Sequence, residues 1–147
     1  MCGQVRVRIS LAPIMIAACH CSGCQKLSAS AFSLTALIPS AGFEVIKGEP
    51  VLGALHGPSG YFYCPNCLNW LFTRPAGMAF VNVRPTLFEV AAWTTPYIET
   101  GVSEKLAWAT TAAIHSFERY PEASDFGPLM QDYATRAHPQ AHPRAKP

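Results

Sequence analysis

The stretch Cys19-His20-Cys21-Ser22-Gly23-Cys24 places three cysteines within six residues, and Cys64-Pro65-Asn66-Cys67 adds a close pair forty residues later. With Cys2 they make up the chain's six cysteines. Thiols this dense either oxidise to one another or share a metal ion, and each outcome ties distant segments of a short chain together. A disulfide framework fits poorly. The N-terminus has no basic start, apolar run and small-residue cleavage site, the length needs no staples, and the two members of a Cys-x-Cys unit seldom bridge. Metal is therefore expected, zinc first, held by thiolates. Three ligands in one knot leave a tetrahedral ion one position short, which is how a zinc site becomes reactive.

With 147 residues, half of them apolar, the chain is expected to form one domain with an ordinary core. The net charge is only +2, and the basic residues are scattered from Arg6 and Arg8 to Arg144 and Lys146. No dense basic face results, so nucleic acid is not an expected partner. The longest apolar run considered, Ile14 to Ala18, is strand-sized, so no membrane partner is expected either. A cytoplasmic location follows as the expectation, since a reducing compartment keeps thiols free for metal.

The pattern along the chain is mainly β. Val5, Val7 and Ile9 alternate with Arg6, Arg8 and Ser10, a half-buried strand. Ile14 to Ala18 predicts a second strand that delivers Cys19 at its end, and Ser22 to Ser30 a turn with a short helix. Further strands are expected over Ala31 to Ile38, Phe43 to Ile46, Tyr61 to Tyr63, Trp70 to Thr73 and Met78 to Val83. Leu52 to Gly60 reads as a loop or tight hairpin. Ser103 to Trp108 suggests a helical turn capped by Ser103, and Phe126 to Arg136 sets Leu129, Met130 and Tyr133 at the spacing of a C-terminal helix. Residues 1–136 are thus read as a single zinc-binding domain. Residues 137–147 repeat His-Pro without a large apolar side chain and are expected to be a disordered tail, with His138 and His142 solvated.

Cys64-Pro65-Asn66-Cys67 has the form of a zinc knuckle, a tight turn that aims both sulfurs at one ion. A redox dithiol shares the spacing, but it usually precedes a helix in an α/β setting, and here aromatic strands flank the pair. The knuckle needs partners, and two assignments are open. Cys19 with Cys21 or Cys24 could complete a single four-thiolate site. Alternatively Cys2 joins Cys64 and Cys67, while Cys19, Cys21 and Cys24 form a separate three-thiolate site. Ligand chemistry favours neither strongly.

The second arrangement has a chemical consequence. Three thiolates leave Zn²⁺ with a net charge near −1, a weak Lewis acid for water but one suited to bind and deprotonate a fourth thiol. A thiolate held beside a small carbonyl compound is ready to add to it.

At these residues the chain resembles the glutathione-dependent formaldehyde-activating enzyme family, whose domain has the Mss4-like zinc-bound β fold. The family pattern is an N-terminal Cys-x-Cys-Gly before a strand, then Cys-His-Cys-x-x-Cys, then Cys-x-x-Cys. Cys2-Gly3-Gln4-Val5-Arg6, Cys19 to Cys24 and Tyr63-Cys64-Pro65-Asn66-Cys67 match these blocks in order, and the likeness continues through Trp70 to Arg74 and Pro96 to Trp108. The resemblance covers roughly residues 1 to 120 and implies the two-site assignment: Cys2, Cys64 and Cys67 on a structural zinc, and Cys19, Cys21 and Cys24 on a catalytic one. It further implies a carbon–sulfur lyase that makes or cleaves S-hydroxymethylglutathione, with glutathione as thiol and formaldehyde as aldehyde. The family's N-terminal unit has two cysteines and this chain only Cys2, so a water or foreign group is expected to complete the structural site. Where the family often has Leu-Asp-Asp, the chain reads Leu87-Phe88-Glu89-Val90, with Glu89 in place of the first acid.

Other residues carry competing readings. Alternation turns His20 away from Cys19 and Cys21, which favours a non-ligand role. Trp70, Trp93 and Trp108 either line a pocket or pack in the core, and the core is preferred. Lys26, Arg74 and Arg84 each either meet a carboxylate of a peptide-like thiol or solvate the surface; for Lys26 the surface is preferred. Glu99 is either catalytic or in a surface ion pair, and the ion pair is preferred. Two rival functions share the fold: a non-catalytic zinc-binding interaction module, and a methionine-sulfoxide-type reductase. The reductase needs a free nucleophilic cysteine, and the two-site assignment leaves none.

Overall fold

Alternation at the N-terminus yields β1 (Arg6–Ile9), in which exposed and half-buried residues follow one another, and which pairs antiparallel with β4 (Phe43–Lys47). This computed structural model describes residues 2–53, 58–88 and 93–137. The remaining described strands form a single eight-stranded sheet: β2 (Met15–Cys19), β3 (Ser33–Pro39), β5 (Val51–Gly53), β6 (Gly60–Tyr63), β7 (Trp70–Arg74), β8 (Phe80–Val83), β9 (Ile98–Thr100) and β10 (His115–Phe117). Their order is β10-β9-β2-β3-β8-β7-β6-β5, with β9 parallel to both neighbours and every other pair antiparallel. The two helices among the described residues are α1 (Ser22–Ser28) and α2 (Ala123–Ala137). The fold is mainly β, as the turn-punctuated strand pattern and the resemblance both imply.

Strands β2 and β3 are buried almost throughout, because the central sheet is covered on both faces. Side chains alternate across a strand, so each face collects its own set. On one face Ile16, Ala36, Ile38, Phe72, Val81 and Val83 form a core against which Val5, Val7, Ile9 and Val45 of the β1–β4 ribbon pack. On the other, Met15, Ala17, Leu37 and Ile98 meet Leu129, Phe126 and Tyr133 of α2. The second face also carries polar residues in register: Cys19 lies opposite Ser33 and Thr100, and Asn82 opposite Leu37 and Thr73. The helix covers part of this face only, and the uncovered part holds the candidate site.

Of the local expectations, the hairpin alternative for Leu52 to Gly60 holds and others change. The Leu52 to Gly60 segment supplies a hairpin, β5 and β6, whose residues 54–57 lie outside those described. Over Ser103 to Trp108 there is no Ser103-capped helical turn. A short 3-10 turn spans Val102–Glu104, entered from Gly101 at φ +66, and Ser103 Oγ instead donates to the Glu118 carbonyl at 2.9 Å. Strands β9 and β10 stand where no strand is expected. Glu89 and residues 138–147, with His138 and His142, lie outside the described residues. No helix among the described residues is long and apolar enough to cross a membrane.

Candidate metal centres

The six sulfurs divide into two triads. The thiols of Cys19, Cys21 and Cys24 lie within 4.8 Å of one another, and so do those of Cys2, Cys64 and Cys67. Each triad could hold a metal ion. The sulfurs do not gather into one four-thiolate cluster.

The first triad is built by the exit of β2. Cys19 is the last strand residue, its side chain on the polar face. The chain then turns, with the His20 amide donating to the Thr100 carbonyl at 2.8 Å. Cys21 caps α1, its sulfur accepting from the Cys24 amide at 3.4 Å, and Cys24 follows in the first helical turn. Two further bonds fix the knot: Gln25 Nε2 donates to the carbonyls of His20 (2.6 Å) and Glu104 (2.9 Å), and the Ser22 amide donates to Glu104 Oε2 at 2.7 Å. Gly101 passes so close that a Cβ there would lie 2.9 Å from the Cys21 nitrogen.

In the second triad the Cys64 amide donates to the Asn69 carbonyl (3.0 Å) and the Leu68 amide to the Cys64 carbonyl (2.9 Å), closing the turn. Cys2 Sγ lies 3.5 Å from Cys64 Sγ, and Asn69 Nδ2 donates to Cys67 Sγ at 3.2 Å. The Asn69 backbone amide, with the Cys2 thiol and the Asn69 side chain, pulls the Cys67 thiol down to about 6.

Charge in the first triad is unevenly shared. The Cys24 thiol, against the resistance of burial and with help from Thr100 and Cys21, draws Cys19 down to about 5. Cys24 is pushed far up by its bond to Cys19 and by burial. One thiolate forms readily and the next is resisted. A divalent cation removes that resistance, and clustered thiolates are the donors a soft or borderline ion prefers. The residues present fit a metal.

A cavity of about 280 Å³ opens on the polar face of the sheet, with Cys19, Cys24 and Thr100 on one wall and Trp70, Asn82 and Arg84 on another. A second hollow of about 210 Å³ reaches Cys21 from the other side, beside Gly101 and Arg119. Tyr120 borders both and is 62% exposed. Its hydroxyl donates to Cys21 Sγ at 3.8 Å and lies 3.9 Å from Cys19 Sγ. Burial of the hydroxyl, then the charges on Cys19 and Cys21, push its ionisation up, so it keeps its proton. Nothing in the spacing around Tyr120 marks it, since a contact across about a hundred residues leaves no local pattern.

The structure separates the basic residues. Lys26 and Arg74 are exposed, Arg74 over the rings of Phe43 and Phe72. Arg84 is buried, with its guanidinium carbon 3.9 Å from the Trp70 ring centroid. Burial lowers its pKa to about 10, opposed by negative charge at Cys24 and Cys19, and it remains a cation at neutral pH.

Glu99 is not in a surface ion pair. It is buried and accepts from Lys105 (2.8 and 3.0 Å), Ser116 (2.8 Å) and Thr111 (2.9 Å), with His20 Nε2 at 3.2 Å. His20 is wholly buried, belongs to neither cysteine triad, and packs its ring 5.2 Å from that of Phe32. Of the tryptophans, Trp93 packs on the core, Trp70 lines the cavity, and Trp108 is 74% exposed rather than internal.

Comparison with known proteins places this geometry. A crystal structure of a Rhodobacter sphaeroides protein, a structural-genomics target, superposes with a TM-score of 0.51 at 18% identity, over 60% of this chain and 83% of that one. That similarity shows the fold alone. No curated protein matches the sequence. The family model described as glutathione-dependent formaldehyde-activating enzyme matches residues 1–102, a span that contains both cysteine triads and every described strand except β10. The chain belongs to the glutathione-dependent formaldehyde-activating enzyme family.

Proposed function

We propose that the protein is a zinc-dependent carbon–sulfur lyase that forms and cleaves the adduct of glutathione with a small aldehyde, formaldehyde first. The observation that carries this reading is the position of Cys19, Cys21 and Cys24: three sulfurs within 4.8 Å of one another, of which Cys19 and Cys24 line a cavity of about 280 Å³ and Cys21 a neighbouring hollow. In this reading these residues hold the catalytic zinc, while Cys2, Cys64 and Cys67 hold a structural one. When bound at the first triad, zinc supplies a coordination position at which an incoming thiol loses its proton at neutral pH.

The chain's own residues do the rest. Thr100 and Tyr120 donate hydrogen bonds to the cysteine sulfurs, which draws charge away from the ligands. The cavity walls hold the thiol's body and keep water from part of the reacting centre. In the forward direction the S–H bond of glutathione breaks and its sulfur forms a C–S bond with the carbonyl carbon. The thiol's proton passes to solvent, and the carbonyl oxygen becomes a hydroxyl by taking a proton from Tyr120 Oη, which is 62% exposed and regains one from solvent at once. Cleavage runs the same steps backwards. The reading requires reduced thiols and so a reducing compartment such as the cytoplasm.

The test is kinetic and spectroscopic together. Thiols add to formaldehyde unaided, so the fully metallated protein must accelerate the reaction of glutathione with formaldehyde above buffer. Glutathione must also perturb the visible absorption of the cobalt-substituted protein. Absence of both effects removes the reading.

A further inference from the structure

Arg84 is a buried cation with two of its three donor nitrogens left without a partner. The residue is 7% exposed, and its Nε and Nη1 have no hydrogen-bond partner. Burying a charge without pairing it is costly, and stacking on Trp70 offsets only part of that cost. A guanidinium presents its N–H groups as a rigid fork that matches the two oxygens of a carboxylate. Among the described residues no carboxylate fills that fork.

The position of Arg84 says what could. Asn82 and Arg84 are two residues apart along extended backbone and both line the cavity that holds Cys19 and Cys24. A molecule whose sulfur sits at the cysteine triad and whose body fills this cavity extends toward Arg84. We propose that Arg84 receives a carboxylate of the thiol bound at the Cys19–Cys21–Cys24 site through paired N–H···O bonds, so that the site selects carboxylate-bearing thiols over neutral ones. The assignment rests on the thiol reading above and adds to it the feature by which the thiol is chosen. Asn82 Oδ1 is likewise buried without a partner, and it offers an acceptor for an amide N–H on the same molecule. A peptide-like thiol carries both groups. The competing role for Arg84 is as a plain counter-charge to the thiolates, which would be indifferent to what else the substrate bears.

The experiment compares three ligands on the cobalt-substituted full chain by titrating the visible absorption. They are glutathione, its glycine-carboxyl amide and its glutamyl α-carboxyl amide. One of the two amides is expected to bind about tenfold more weakly than glutathione, the loss that goes with one charge-assisted carboxylate contact. In Arg84→Met that difference should vanish, and in Arg84→Lys it should return in part, because the charge is kept but the fork is not. The comparison on the unaltered chain needs no variant to fold. If both amides bind as tightly as glutathione, the Arg84 assignment fails while thiol capture stands. If Arg84→Met weakens all three ligands equally, Arg84 is only a counter-charge and the assignment also fails. If glutathione leaves the cobalt spectrum unchanged, thiol capture fails and takes the assignment with it.

Discussion

His20 Nε2 lies 3.2 Å from Glu99 Oε2, across the sheet edge from the cysteine knot that His20 interrupts. An ionised carboxylate can only accept, so the ring proton sits on Nε2 and points at Glu99. The same carboxylate takes hydrogen bonds from Lys105, Thr111 and Ser116, which come from the loop after β9 and from β10. One buried acid thus joins the loop that carries two candidate ligands to the segment that backs it. The side chain that sequence reading sets at the surface is the anchor of the site's floor.

This anchor should be sensitive to acid. Burial alone would raise the Glu99 carboxyl, but the bonds from Lys105, Ser116 and Thr111 outweigh it and hold the group at about 2. A folded-state value below the unfolded one gives stability that is complete above the unfolded value near 4 and is lost as pH falls toward 2. The gap corresponds to roughly 3 kcal/mol. Glu99→Gln is expected to cost about that much at pH 7. The difference from the unaltered protein should shrink toward zero between about pH 4 and pH 2. Denaturant unfolding of both proteins across that range checks it. Acid release of metal occurs in both and cancels in the difference. A gap that stays constant with pH would show that the carboxylate's charge is not what matters.

Gly101 is the second point of leverage. Its φ of +66 is the left-handed region, and an added Cβ would lie 2.9 Å from the Cys21 nitrogen and 3.3 Å from its Cβ. Gly101→Ala should therefore destabilise by about 1–2 kcal/mol for the backbone conformation alone. The contact should also displace Cys21 and weaken metal retention at its triad more than at the other. Competition with a chromophoric chelator, followed by metal analysis, reads the two sites separately. Equal loss from both sites would mean that the close approach does not bear on Cys21.

Much of this could be read from the chain before any coordinates. Cysteine spacing is local, so the six thiols announce a metal site, while their division into two triads follows only from the family resemblance; alternation or buried apolar runs disclose β1 to β4. What stayed hidden depends on partners far away. Strands β9 and β10 are three residues each, too short for a period, and exist because β9 pairs parallel to β2 and β10 parallel to β9. Glu99 looks like any surface acid until Lys105, Thr111 and Ser116 close over it. Arg74 and Arg84 are chemically alike in the sequence, but Arg74 ends β7 in solvent, whereas Arg84, just after β8, lies against Trp70.

Tyr120 should affect chemistry without affecting the fold. It is 62% exposed, and its hydroxyl contacts the sulfurs of Cys21 and Cys19 at 3.8 and 3.9 Å. Tyr120→Phe removes one hydroxyl from a half-open position, so stability should change by no more than about 0.5 kcal/mol. A hydrogen bond to a ligand sulfur withdraws charge from it and leaves the bound ion more attractive to an incoming thiol. Without that bond, the pH at which glutathione half-saturates the cobalt-substituted protein is expected to rise. An unchanged midpoint together with an unchanged rate would show that the hydroxyl has no part in the reaction.

The two triads should differ in what their loss does. Cys64 is 2% exposed and belongs to the main core cluster beside Phe72 and Leu71, and its turn joins β6 to β7. Cys2, on a segment otherwise held mainly through β1, meets it at 3.5 Å. An ion held there, as proposed, would tie the N-terminus to the sheet, so Cys64→Ser should remove one ion per chain and cost about 4 kcal/mol or more, the range where loss of a structural metal falls. Cys19, Cys21 and Cys24 line open hollows at the end of β2, where Gln25, Ser22 and Glu99 already fix the backbone and its neighbours. Cys19→Ser is accordingly expected to remove the other ion and the response to glutathione, with a much smaller fall in melting temperature. Elemental analysis per chain, read beside thermal unfolding of the two variants, decides the matter. A reversed order of stability loss would mean that the triad at the cavity, rather than the knuckle, holds the fold together.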